Sequence, residues 1–194
     1  TDWSEALEGV DGVVHLAAIV HQKETLNSET KSLYRRTNTD AAAALGEQAL
    51  KKDVRSFVFL STVAVYGLNK TTEPLAIGSP INPTTYYGKS KWEAEQKLTA
   101  LFKTTNSSLT IFRPTMVYGP KAPGNFARLS KMVKIGIPLP LGSIKNKRHF
   151  IFIDNLVSLI LEGLENTEAG ITVRFACDDE PISTKELLQL AAKW

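Results

Sequence analysis

Apolar positions in this chain fall into two patterns. Short unbroken runs, Val13–Ala17, Phe57–Ser61, Leu109–Phe112 and Ile171–Ala176, have the length and composition of strands buried on both faces. Between them lie longer stretches whose apolar residues recur three and four positions apart. These predict helices: an Ala-rich one at Asp40–Lys51, the longest at about Thr85–Lys103, others at about Asn125–Ile135 and from Asp154 to about Leu164. Asp154 reads as the N-cap of its helix, and Ser183-Thr184-Lys185-Glu186 as a capping box opening a last one. Tyr118-Gly119-Pro120, Pro123-Gly124 and a loop holding Pro138 and Pro140 break the sheet pattern. Strands alternating with helices predict an α/β fold built on a doubly wound parallel sheet.

Composition excludes more than it assigns. With 194 residues, 43% hydrophobic and 22% charged, the chain has core enough for one ordinary globular domain. A net charge of +3, evenly spread, is too small to point to nucleic acid, although it suits an anionic small molecule. One cysteine, Cys177, allows no internal disulfide and favours a reducing compartment. No run approaches the ~18 apolar residues of a membrane span. The start, Thr1-Asp2-Trp3-Ser4-Glu5, lacks the basic and apolar regions of a signal peptide. A cytoplasmic chain with no membrane partner is expected.

Candidate chemistry sits at the end of the second strand and the start of the longest helix. Thr62 ends the run Phe57-Val58-Phe59-Leu60, and catalytic groups of open α/β sheets gather at the carboxyl ends of strands. Tyr87 and Lys91 are four apart and share a helix face. A free tyrosine loses its proton near pH ~10, and an ammonium one turn away favours the phenolate. A hydroxyl, a phenol and an ammonium together suit hydride chemistry on an alcohol or ketone. Tyr87, Lys91, Ala94, Leu98 and Leu101 form one stripe, whereas Trp92 and Glu95 lie beside it and call for no functional role. Tyr86 competes poorly, because its four-residue partner is Ser90. Gly88-Lys89-Ser90 resembles the end of a phosphate-binding loop, but Pro83 stands where that motif needs glycine. The three histidines, His15, His21 and His149, show no metal-ligand spacing, and no serine-hydrolase elbow is present. His15, in a strand, reads as a core residue.

With Gly12-Val13-Val14-His15-Leu16-Ala17-Ala18, Asn38, Ser61-Thr62…Val65-Tyr66-Gly67, Tyr87…Lys91, Phe112-Arg113-Pro114…Val117-Tyr118-Gly119-Pro120 and Arg148…Asp154-Asn155-Leu156 in this order, the chain resembles the extended short-chain dehydrogenase/reductases, that is, the NAD-dependent epimerase/dehydratase family. The resemblance implies a Rossmann-type domain at 1–119 and 153–177 and part of a nucleotide-sugar domain at 120–152 and 178–194. It implies Thr62, Tyr87 and Lys91 as catalytic residues. Leu16, Ala17, Ala18, Asn38, Tyr87, Lys91, Pro114 and Thr115 would meet NAD or NADP, with NAD favoured. Asn38 could equally cap the helix it starts, and His21 would lie near both ligands. Thr62, Asn125, Phe126 and Arg148 would hold the substrate, with Asn125-Phe126 and Arg148 at its pyrophosphate and Leu139-Pro140-Leu141-Gly142 beside the uracil.

The implied activity is an NAD(P)-dependent 4-epimerase of UDP-hexoses or UDP-N-acetylhexosamines acting through a 4-keto intermediate, in a homodimer. A 4-keto-sugar or other ketone reductase, and a non-catalytic dinucleotide-sensing protein, are the alternatives. Two departures stand out: Met116 replaces a common asparagine near the diphosphate, and Val63-Ala64 replaces the Asp-Glu pair that 4,6-dehydratases carry after the threonine. No glycine-rich turn precedes Val13. The chain therefore reads as an internal fragment, with the first strands of the sheet missing, and is expected to be inactive by itself.

Overall fold

The computed structural model describes residues 1–20, 28–68, 71–120, 146–184 and 186–187. In chain order these form β1 (Gly12–His15), α1 (Ser28–Tyr34), a π-helical turn (Arg35–Asp40), α2 (Ala41–Lys51), β2 (Ser56–Leu60), a 3-10 turn (Val63–Tyr66), α3 (Tyr86–Phe102), β3 (Ser108–Pro114), β4 (Met116–Tyr118), β5 (Phe150–Phe152), α4 (Ile153–Glu165) and β6 (Gly170–Ala176). The fold is α/β, as the alternating pattern predicts.

One sheet runs β1-β2-β3-β6. β1 and β2 are parallel, with Gly12 opposite Ser56 and His15 opposite Phe59. β2 and β3 are also parallel, from Ser56 opposite Ser108 to Leu60 opposite Phe112. Successive strand residues point to opposite faces, so each strand feeds two layers. Phe57, Phe59, Leu109 and Ile111 pack with Ala42, Ala49, Ala94, Leu98 and Phe102 of α2 and α3 in one buried cluster. The intervening positions meet α4: Ser56 Oγ donates to the Gly163 carbonyl at 3.3 Å. A Cβ at Gly163 would lie 2.8 Å from the Phe112 ring, so α4 rests directly on the strand. Helices on both faces make the sheet doubly wound.

The chain divides into two compact units, Thr1–Arg113 with Leu159–Phe175, and Pro114–Ser158 with Ala176–Trp194. In the second, β4 and β5 pair in parallel with Met116 opposite Phe150 and Tyr118 opposite Phe152. Asp178 ties this unit together. Its carboxylate accepts from the Phe152 N–H at 3.1 Å, from Asn155 Nδ2 at 2.8 Å and from the Tyr118 hydroxyl at 3.0 Å.

Three local expectations need correction or completion. Asp154 does not cap α4; the helix begins one residue earlier, and Asp178, distant in sequence, takes the N–H just before its start. Asn38 starts no helix either, because α1, the π-helical turn and α2 run on without a break. The capping box does form: Glu186 N–H donates to Ser183 Oγ at 3.1 Å, and Ser183 N–H to Glu186 Oε2 at 2.7 Å. His21, the 125–135 helix with Asn125 and Phe126, and the segment 139–142 lie outside the described residues. Among the described residues, no helix is long and apolar enough to cross a membrane.

Candidate active site

Two short structures present Thr62 and Tyr87 to each other. Thr62 leaves β2 in extended conformation, and its Oγ1 accepts from the Ala64 N–H at 3.1 Å, starting the 3-10 turn. That turn ends at Gly67, whose φ of +68° is the left-handed conformation that glycine adopts without strain. Across from it Thr85 caps α3, accepting from the Gly88 N–H at 3.0 Å. A Cβ at Gly88 would lie 2.7 Å from the Ala64 carbonyl oxygen, so its hydrogen lets the helix start approach the turn. The start of α3, which carries Tyr87, is thereby packed against the turn that follows Thr62.

Burial pushes the Tyr87 phenol above its ordinary value; the Thr62 hydroxyl pulls it down, and Tyr34 adds to the rise. Lys91, expected to favour the phenolate, is not among the groups that shift it. Lys91 is 1% exposed, and its Nζ lies 4.0 Å over the Phe59 ring with no hydrogen-bond partner. Burial pushes this ammonium down to about 7, with the Glu95 carboxylate pulling the other way. A lysine near neutrality exerts a weaker field than a fully charged one. Tyr87 at rest is thus a protonated phenol.

His15 is buried as expected for a strand residue, but it is not satisfied. Its Nδ1 has no partner and its ring packs on Phe59 at 5.6 Å between centroids. Burial, and then the charge of Lys91, push it down to about 4, so it is neutral at pH 7. Lys91 and His15 therefore leave two polar groups without partners around one phenylalanine. Unpartnered buried groups of this kind are rare in folded chains, and each calls for a structural or functional reason.

Asn38 serves this region by holding it. The residue is fully buried; Oδ1 accepts from the Ile19 N–H at 2.8 Å, while Nδ2 donates to the Ile19 carbonyl and to Ser90 Oγ, both at 3.0 Å. Ser90 Oγ donates in turn to the Tyr87 carbonyl at 2.8 Å. Asn38 thus ties the segment after β1, with exposed Leu16 and Ala17 and half-buried Ala18, to the first turn of α3. Pro114, Thr115 and Arg148 belong to the second unit. There the Thr115 N–H donates to the Ala176 carbonyl at 3.0 Å, and exposed Arg148 pairs with Ile182 through two backbone bonds of 3.0 Å.

Periodicity missed Glu95, which is 2% exposed rather than incidental. Arg113 donates through Nε to its Oε1 at 3.1 Å and through Nη2 to its Oε2 at 2.6 Å. The available signal was a charge ending the apolar run of β3, since a buried arginine requires a counter-charge. No group of three or more His, Cys, Asp or Glu able to hold a metal occurs among the described residues.

The model of the NAD dependent epimerase/dehydratase family matches residues 1–174. The chain is 38% identical to a UDP-glucose 4-epimerase of Vibrio cholerae, over 97% of this chain and 58% of that protein. It is 34% identical to the N-acetyl-alpha-D-glucosaminyl-diphospho-ditrans,octacis-undecaprenol 4-epimerase of Escherichia coli O157:H7, over 95% of this chain and 54% of that one. Among solved structures, the UDP-glucuronic acid 4-epimerase of Bacillus cereus, in complex with NAD, superposes with a TM-score of 0.83 at 25% identity, covering 100% of this chain and 62% of that chain. The chain spans little more than half the length of the curated relatives it matches.

Proposed function

Since this chain belongs to the NAD dependent epimerase/dehydratase family, we propose that the full-length protein is an NAD(P)-dependent nucleotide-sugar 4-epimerase, with NAD the favoured cofactor and a UDP-hexose or UDP-N-acetylhexosamine the substrate. The observation that carries the reading is an unpartnered, fully buried Lys91 one helical turn from Tyr87, at a helix start packed against the turn after Thr62. A bare ammonium in that position fits a ribose hydroxyl of the cofactor, which would give it the partner it lacks. NAD, when bound, would accept hydride from the sugar C4 and return it to the opposite face of the 4-keto intermediate.

The chain's own residues do the rest. Tyr87 would take the proton of the sugar 4-hydroxyl and later restore it, at its phenolic oxygen. To act as a base it must come down from its raised value, and the pull is the charge on Lys91 once a ligand hydroxyl stabilises its protonated form. Thr62, whose backbone the 3-10 turn fixes, would hydrogen-bond the reacting oxygen beside Tyr87. Val63 and Ala64, which follow it, carry no titratable group to assist loss of water, which argues against a 4,6-dehydratase. Leu16–Ala18, Asn38, Pro114 and Thr115 would line the cofactor's path, Asn38 by holding the segment that does so. Asn125, Phe126 and Arg148 would bind the diphosphate, with residues 1–119 and 153–177 serving the cofactor and 120–152 and 178–194 the sugar nucleotide. A homodimer in the cytoplasm completes the reading.

The test is product analysis by NMR with NAD and either UDP-glucose or UDP-N-acetylglucosamine. Appearance of the C4 epimer supports the proposal. A full-length protein that binds NAD yet leaves both sugars unchanged overturns it.

A further inference from the structure

Glu95 stands four residues after Lys91 on α3, the spacing at which a lysine and a glutamate ordinarily meet. They do not meet here. Both carboxylate oxygens are taken from the other side: Arg113 holds them with two parallel N–H bonds, and the Ser61 hydroxyl donates to Oε1. Arg113 is itself held, donating through Nη1 to the Tyr66 hydroxyl at 2.6 Å, with its guanidinium 5.1 Å from the Tyr66 ring centre and 5.8 Å from that of Trp92. Tyr66 donates onward to the Ile77 carbonyl at 3.0 Å. The carboxylate is therefore fixed toward β3 and the end of β2, one turn away from an ammonium with no partner.

We propose that Arg113 is a positioning residue that holds Glu95 away from Lys91, keeping the lysine free to bind the cofactor's ribose. The role rests on the functional reading above and deepens it. A lysine already paired with Glu95 would have to break that bond before it could donate to a ligand. A lysine with no carboxylate nearby would lose its charge too readily in so buried a place. The network provides the field of a carboxylate without its contact. Besides Glu95, the groups shown against Lys91 are neutral His15 from β1 and the Phe59 ring from β2, so Glu95 supplies the opposing charge among the described residues.

The test is NADH titration by fluorescence, across pH, on the full-length wild type and three variants. In Arg113→Met the freed carboxylate closes on Lys91, and NADH affinity should fall roughly tenfold or more, the loss expected for a charge-assisted hydrogen bond. At pH 6, where Lys91 keeps its charge, Arg113→Met/Glu95→Gln has no carboxylate left to compete, and affinity should return to within about threefold of wild type. A purely structural network predicts the opposite, a double variant at least as weak as the single one. Glu95→Gln alone should bind NADH at pH 6 but lose it at lower pH than wild type as pH rises. Should the arginine variants not fold, that displaced midpoint decides, and an unchanged one overturns the role. Unrescued binding in the double variant overturns it too, while leaving the epimerase reading intact. A wild type with no saturable NADH binding overturns both.

Discussion

Helix α3 carries two buried charges four residues apart, and they are treated in opposite ways. Glu95 is satisfied on every side by Arg113 and Ser61, and it locks α3 to β3 and to the end of β2. Lys91 is buried as deeply and bonded to nothing but the face of a ring. A fully paired charge fixes geometry. An unpaired one stores unfavourable free energy that a ligand can relieve. On the proposed reading, the contrast separates scaffold from site on one helix.

The largest effect should come from the reacting group beside the unpaired charge. In the full-length protein, Tyr87→Phe should lower turnover by roughly 100-fold or more, the range expected of general acid–base work, while UDP affinity measured by calorimetry stays near wild type. Breaking the satisfied end should instead damage the fold. Glu95→Ala leaves a buried guanidinium without its counter-charge and should destabilise by about 3–5 kcal/mol in urea unfolding. A loss below about 1 kcal/mol would mean that water reaches Arg113 and that the two ends are less different than described.

Breaking the unsatisfied end should do the reverse. Burial holds Lys91 near 7, well below the ~10.4 of an unfolded chain. Between those values the unfolded state binds the extra proton, so stability rises with pH through that window, and below about 7 the buried charge is a constant penalty. Lys91→Met removes it. The variant should be catalytically dead yet more stable at pH 6 by on the order of 2–4 kcal/mol, with a flatter stability profile from about pH 7 to 10. In the second unit, Arg148→Ala should weaken UDP binding by about 1.5–3 kcal/mol and leave NADH binding unchanged, because its guanidinium is exposed and supports no packing.

Legibility in the sequence followed the range of the forces involved. β2 and α3 were readable to within a residue or two, because apolar runs and helical spacing are local, as is the Ser183/Glu186 box. Thr62 and Tyr87 were readable as candidate chemistry, since Thr62 follows a strand's carboxyl end and Tyr87 stands at a helix start. Glu95 was not. Its partner lies on another strand, and a helical stripe drawn from apolar residues passes beside it. Asp178 was missed for the same reason, and Asn38 was named but not for the Ile19 backbone it holds, because these partners are distant in sequence. The state of Lys91 needed the Phe59 ring to be in place before burial could be seen to outweigh the carboxylate.

The central claim is that Lys91 is left bare for a ligand, and direct titration of its Nζ tests it. Heteronuclear NMR of lysine-labelled full-length protein, with and without NADH, reads the protonation of that amine. A midpoint near 7 is expected in the free protein, moving upward when NADH is bound. A midpoint near the ordinary ~10.4 in both states would show a lysine already charged and partnered, and would contradict the account.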